Sequence, residues 1–197
     1  TLKQVNIQKP SDVQENCIPV ISSGRNVIAR SPTGTGKTAA FALPIIAELS
    51  KDPYGIFCLV LSPTRELADQ ISSQFSMFGK GIGIDVCTVF GGLSDIKQLS
   101  HLGRRPHVVV ATTGRLLDFL NRGGVAEYFD SLRFLVLDEV DQLIKGGFWG
   151  DVEEIVKILP KERQTLLFSA TLPEGLSTEG LFTKPSPNVS EEPFNWD

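Results

Sequence analysis

Several things are scarce in this chain of 197 residues, and each scarcity excludes a class of protein. The three cysteines, Cys17, Cys58 and Cys87, are odd in number and widely spaced. They fit neither a disulfide framework nor a zinc site, and imply buried thiols in a reducing, intracellular compartment. No apolar run is long enough to span a bilayer and no charged-then-apolar leader opens the chain, so no membrane association is expected. A basic excess is also missing. With 19 Lys and Arg against 23 Asp and Glu, the net charge is -4. Bulk electrostatic gripping of nucleic acid is therefore excluded, and any such site must be a local groove. No internal repeat occurs. Composition is otherwise ordinary, with 41% hydrophobic residues and length enough to bury one core.

What is present is an alternation. Short apolar runs at Ile56–Leu61, Val86–Phe90, Val108–Ala111, Phe134–Leu137 and Thr165–Phe168 read as strands, as does Asn26–Ala29. Helical spacing fills the intervals at Ala39–Leu49, Glu66–Phe78, Leu93–Leu102, Arg115–Leu120 and Val152–Leu159. A further helix runs from Pro10-Ser11 to Ile21. The pattern predicts an α/β fold, a mostly parallel sheet with helices on both faces. Ligands of such sheets gather at the carboxyl ends of the strands. Most polar clusters of the chain fall there. Beyond Thr171 the composition shifts to Pro, Ser, Gly and Glu, and residues 174–197 read as a tail or linker with little fixed structure.

The densest cluster is Ser31-Pro-Thr-Gly-Thr-Gly-Lys-Thr38, between a strand and a helix. Gly34 and Gly36 let the backbone curl its N–H groups inward, and the helix start adds partial positive charge. In this context the G-K-T sequence reads as a phosphate-binding loop rather than a plain glycine turn. Lys37 reaches phosphate and the Thr38 hydroxyl suits Mg²⁺, with Thr33 and Thr35 completing the loop. Its first position is Ser31, where the common pattern has glycine. Asp138-Glu139 closes the apolar run Phe134–Leu137. A carboxylate at a buried strand end needs a cation, and opposite a phosphate loop the natural one is Mg²⁺ carried by a nucleotide. Asp138 then faces the metal and Glu139 an attacking water.

Asp138-Glu-Val-Asp141 resembles motif II of the DEAD-box RNA helicases, with Val140 in place of alanine. Other motifs follow in family order over roughly residues 8 to 173. Pro10 to Gln14 resembles the Q motif, Ser31–Thr38 motif I, and Pro63-Thr-Arg-Glu-Leu67 motif Ia. Gly91-Gly92 is similar to the GG motif, Thr112-Thr-Gly-Arg115 to the T-P-G-R motif, and Ser169-Ala-Thr171 to motif III. The resemblance implies a RecA-like P-loop NTPase domain over residues 1–173, using ATP and Mg²⁺. It implies that Gln14 reads adenine, with Pro10 and Ser11 shaping that pocket, and that Lys37, Asp138 and Glu139 carry the catalysis. Asp141, Ser169 and Thr171 would couple nucleotide state to RNA grip. Pro63, Thr64, Arg65, Gly91, Gly92, Thr112, Gly114 and Arg115 would line a sequence-independent track on the RNA backbone.

Departures from the family pattern set further expectations. Pro32 lacks an N–H, so the phosphate-facing amides should come from later in the loop. Val140 adds bulk beside the carboxylates. Thr113 replaces a rigid proline and should loosen one RNA-facing loop, and Ser177–Ser190 lacks the apolar strand that family members carry. No H-R-x-G-R-x-G-R-like stretch occurs, so the arginines of a second RecA-like domain would come from outside this chain. Arginine fingers are worth about 10³–10⁵ in rate, so the fragment alone should be nearly inactive. The leading expectation is the ATP-binding domain of an RNA helicase that unwinds duplexes locally. An ATP-gated RNA clamp or assembly platform, and a P-loop ATPase remodelling DNA or protein, are the alternatives. Asp52–Leu61 also resembles ribosome-assembly members, which suggests ribosome-assembly partners and a nuclear or nucleolar site, with the cytoplasm as the other possibility.

Overall fold

Six apolar runs rich in Val, Leu and Phe become strands, and the computed structural model describes residues 9–171, 180–182 and 194–196. The strands are β1 (Val27–Arg30), β2 (Cys58–Ser62), β3 (Val86–Val89), β4 (Val108–Thr112), β5 (Phe134–Asp138) and β6 (Gln164–Ser169). A seventh, β7, spans Phe194–Trp196. All pair in parallel, in the order β3-β4-β2-β5-β6-β1-β7. Every residue of the central strands β2, β5 and β6 is buried. Continuous apolar runs therefore mark the middle of the sheet, as expected for a parallel sheet covered on both sides.

Successive strand residues divide between two cores. Val108 and Val110 join Val60, Val136 and Phe168 on one face, beneath α1 (Asp12–Ser22), α2 (Lys37–Leu49) and α3 (Arg65–Gly79). Val109 and Ala111 join Leu59, Leu135 and Leu167 on the other. That face is covered by α4 (Asp95–Gly103), α5 (Thr113–Leu120), α6 (Val140–Lys145) and α7 (Trp149–Ile158). Apolar spacing predicts each of these helices except α6, which is too short to show a period.

The stretch beyond Thr171 differs from the expected tail. Backbone pairing sets Val27 opposite Phe194 and Ala29 opposite Trp196, so the sheet gains a strand downstream of the Ser177–Ser190 stretch, where the sequence shows none. Leu181 is buried in the second core, and its carbonyl accepts from the Thr165 hydroxyl at 2.8 Å. Three residues are too few to display the period of a strand, and β1 supplies the pairing that local propensity does not. The rest of the segment expected as a linker, including Ser177 and all of residues 183–193, lies outside the described residues.

Two buried amides fasten the end of the first helix and the entry to β1 onto β6. Asn26 Oδ1 accepts from the Thr165 N–H at 2.8 Å, and Gln164 Nε2 donates to the Ile21 carbonyl at 3.1 Å. The three cysteines are free and buried, and burial pushes the Cys17 thiol up to about 11. No helix among the described residues is long and apolar enough to cross a membrane. Phe41 of α2 is fully buried, with ring centroids 5.2 Å from Phe168 of β6 and 6.1 Å from Phe75 of α3. It therefore joins three elements beneath the loop that leads into α2. Phe41→Ala is expected to lose about 3–5 kcal/mol of stability, read as a shift in the urea midpoint at unchanged slope; a loss well below 1 kcal/mol would contradict this packing role.

Candidate functional site

The parallel sheet carries the carboxyl ends of all its strands to one edge, and the polar clusters meet there. The first is the loop between β1 and α2. Gly36, at φ 91°, caps α2 in a left-handed conformation. Its carbonyl accepts from Gln14 Nε2 at 3.1 Å, while Gln14 Oε1 accepts from the Ser11 N–H at 3.1 Å. The left-handed φ favours glycine here, and a Cβ would also displace that Gln14 amide from its place. Gln14 is buried, Ser11 half-buried and Pro10 exposed at the mouth.

Within the loop, Ser31 Oγ and Thr35 Oγ1 are 2.6 Å apart, and Thr35 donates to the Pro32 carbonyl at 2.9 Å. The serine at the position usually held by glycine thus ties the loop to itself. Pro32, Thr33 and Gly34 form the exposed tip, and Thr38 sits half-buried in the first turn of α2. Lys37 is 7% exposed, with Nζ donating to the Ser31 carbonyl at 3.0 Å. The Ser31 N–H in turn donates to the Ser169 carbonyl at 2.8 Å, so the loop is anchored to the end of β6.

Asp138 ends β5 and is 5% exposed. Burial is the main reason its carboxyl is pushed up to about 6; Lys37 opposes that shift, while Glu139 and Asp141 add to it. The next residue, Glu139, has φ 51° and stands half-buried before α6. A left-handed glutamate is uncommon and strained, which aims its side chain where an ordinary helix start would not. Val140 is wholly buried in the second core, so its extra bulk points away from the carboxylates and into packing.

Asp141, Ser169 and Thr171 form one hydrogen-bonded cluster. Ser169 Oγ donates to Asp141 Oδ1 at 2.8 Å and accepts from the Asp141 N–H at 3.0 Å, while Thr171 Oγ1 donates to Oδ2 at 3.2 Å. Lys145 lies 3.7 Å from the same oxygen. Burial raises the Asp141 carboxyl, yet the Ser169 and Thr171 hydrogen bonds with Lys145 outweigh it and hold the group below its ordinary value.

Beside these groups lies a groove of about 660 Å³, lined by Pro63, Thr64, Arg65, Gly91, Thr112, Gly114 and Arg115 together with Glu66, Thr113, Asp118 and Phe148. Arg65 is exposed and meets no carboxylate among the described residues. Its guanidinium lies over the glycine pair: a Cβ on Gly92, at φ 90°, would strike Arg65 Nη1. The pair therefore makes room for the Arg65 guanidinium. Arg115 differs, being ion-paired with Asp95. Thr113 also departs from expectation. It is 2% exposed, begins α5, and donates to Asp151 of α7 at 3.4 Å, so the hydroxyl anchors the loop that proline would have stiffened. Asp95, Arg122 and Asp151 carry no motif; only the Asp118–Arg122 pair, four apart from the last turn of α5 to just past its end, has a spacing visible in sequence.

Comparison with known proteins agrees with this geometry. A family model described as DEAD/DEAH box helicase matches residues 11–178. Proteins of Mus musculus and Homo sapiens named probable ATP-dependent RNA helicase DDX49 are each 47% identical, over 99% of this chain and 40% of their own length. The Schizosaccharomyces pombe ATP-dependent RNA helicase dbp8 is 45% identical over 100% of the chain and 43% of its own length. A crystal structure of a DEAD box protein from Methanococcus jannaschii matches with a TM-score of 0.84 at 33% identity, over 99% of this chain and 52% of that one. The chain thus spans less than half the length of these curated relatives. With the match running from the helix that carries Gln14 past the Ser169–Thr171 cluster, the chain belongs to the DEAD/DEAH box helicase family.

Proposed function

We propose that this chain is the ATP-binding lobe of an RNA-dependent ATPase that couples nucleotide binding and hydrolysis to RNA binding and local unwinding. The observation that carries the reading is the junction of two sites at one sheet edge. A phosphate loop with a buried lysine and a buried carboxylate stands next to a groove whose Arg65 meets no carboxylate among the described residues. The relatives' names, which specify ATP dependence and RNA, support the same assignment.

In this reading Gln14, already fixed between Ser11 and Gly36, presents its amide to the adenine edge, and Pro10 and Ser11 shape that pocket. Loop amides from Thr33 to Gly36 and the ammonium of Lys37 hold phosphate oxygens. The residues also fit Mg²⁺: the Thr38 hydroxyl and Asp138 would hold it, and Asp138 is a buried carboxylate that needs more positive charge than Lys37 alone provides. Bound magnesium would supply positive charge against the phosphate oxygens during transfer. Glu139 orients the attacking water and accepts its proton. Asp141, Ser169 and Thr171 relate this site to the groove, where Pro63, Thr64, Arg65, Gly91, Gly92, Thr112, Gly114 and Arg115 meet the RNA backbone. Full turnover draws on a second RecA-like lobe, consistent with the greater length of the relatives. Ribosome-assembly partners and a nucleolar site rest on the Asp52–Leu61 resemblance.

Turnover of the two-lobe protein, measured with and without single-stranded RNA, tests this function. RNA stimulation of ATPase activity is expected; nucleotide binding with no stimulation would favour the RNA clamp instead. Lys37→Ala should abolish ATP binding in a calorimetric titration while the circular dichroism spectrum stays native. Unchanged affinity would refute the loop's role. Asp138→Asn gives a third test, through stability in chelator. The wild-type carboxyl binds its proton more tightly folded than unfolded, so it loses stability as pH rises from about 4 to about 6. The variant has no such loss. It is expected to be more stable than wild type at pH 7 by roughly 2–3 kcal/mol and equal to it near pH 3.5, and a difference independent of pH would contradict the buried ionisation.

A further inference from the structure

The groove holds two arginines in opposite electrostatic states. Arg65 meets no carboxylate among the described residues, whereas Arg115 is ion-paired with Asp95, the first residue of α4. Asp95 also receives Arg122 Nη2 at 2.9 Å, and Arg122 bonds Asp118 at 2.7 Å. Both guanidinium groups flank the buried Phe119 ring, Arg115 at 5.5 Å and Arg122 at 4.8 Å. Two cations and two anions therefore cancel within one patch, and the stacking on Phe119 limits where Arg115 can swing.

We propose that Asp95 is a positioning residue that competes with RNA phosphate for Arg115, so that this aspartate sets how tightly and how salt-sensitively the lobe holds RNA. The inference rests on the assignment of the groove as an RNA track. A phosphate arriving at Arg115 must displace the Asp95 carboxylate. Arg65 is the cation available for first contact, and Arg115 adds its contact only in exchange for an existing pair. Arg122 keeps Asp118 when Asp95 is removed, so neutralising Asp95 releases one cation and not two. Arg122 chiefly, with Arg115, holds the Asp95 carboxyl below its usual value. The carboxylate thus stays ionised near neutrality, and phosphate and salt, not pH, decide the exchange.

Fluorescence anisotropy with a labelled decauridylate, over a series of KCl concentrations, tests this on the chain and on Asp95→Asn. The variant is expected to bind about threefold to tenfold more tightly at low salt. Its slope of log affinity against log salt should steepen by about 0.7, the value for one further phosphate on a single strand. Asp95→Glu should restore the wild-type slope, and Asp95→Asn combined with Arg115→Ala should match Arg115→Ala alone. Equal or weaker binding by Asp95→Asn, or a gain that survives loss of Arg115, would overturn the competition while leaving the RNA track standing. Failure of every form to bind, wild type included, would overturn the track and the competition together. Unaltered melting temperatures across the variants separate these outcomes from a loss of fold.

Discussion

A buried ammonium and a buried carboxylate at the edge of one sheet set the terms for everything around them. Lys37 and Asp138 are each over nine-tenths inaccessible, and neither charge could be buried alone without a large desolvation cost. The parallel order brings them together, since β6 lies between β1 and β5 and all three end at the same edge. Continuity then follows through hydrogen bonds. Lys37 donates to the Ser31 carbonyl, Ser31 donates its N–H to the Ser169 carbonyl, and Ser169 donates its hydroxyl to Asp141. Lys37 is thereby linked, through Ser31, to the residue whose side chain holds Asp141. In the proposed reading this chain of hydrogen bonds is the physical route from the loop to the Asp141 cluster.

Much of this arrangement is legible in the order of the amino acids. Continuous apolar runs such as Phe134–Leu137 mark strands buried on both faces, and parallel pairing follows from their alternation with helices. The G-K-T sequence places Lys37 at the start of α2 because the pattern of a glycine turn entering a helix is local in sequence. What stays hidden is non-local. Asp95 meets Arg115 across twenty positions, Asp151 meets Thr113 across thirty-eight, and no spacing rule reaches that far. The same holds for β7, whose three residues carry too little pattern to announce a strand. Thr113 shows the limit of reading one residue at a time. Proline's rigidity is lost there, yet a hydroxyl can fasten the same turn from outside when an acceptor lies opposite.

Net charge gives another case in which local arrangement outweighs the total. At -4 the chain as a whole repels a polyanion. The groove answers this by placing Arg65 over a glycine pair that leaves it room, while neighbouring arginines are neutralised by Asp95 and Asp118. As the proposed RNA track, a surface of this kind would attract phosphate at a defined point instead of over a broad field. That suits reversible, sequence-independent contact better than tight coating does.

The two aspartates of the Asp138–Asp141 stretch illustrate how one short segment sustains opposite ionisation behaviour. Asp138 is raised because burial outweighs the help of Lys37, and its backbone bond to the Glu139 N–H at 3.0 Å is too little to reverse the sign. Asp141 is lowered because hydroxyls from Ser169 and Thr171 reach it from β6 and the loop beyond, with Lys145 adding charge from its own helix. The linkage runs in opposite directions. Asp141 contributes stability that is present above its unfolded value and is lost only as pH falls through its folded one, while Asp138 withdraws stability as pH rises toward neutrality. Near neutral pH, then, Asp141 is settled in its charged state and Asp138 is the group whose environment leaves a demand for positive charge. In the proposed reading, a divalent cation carried in with phosphate would meet that demand at Asp138 and would have no comparable claim on Asp141, which its neighbours already satisfy.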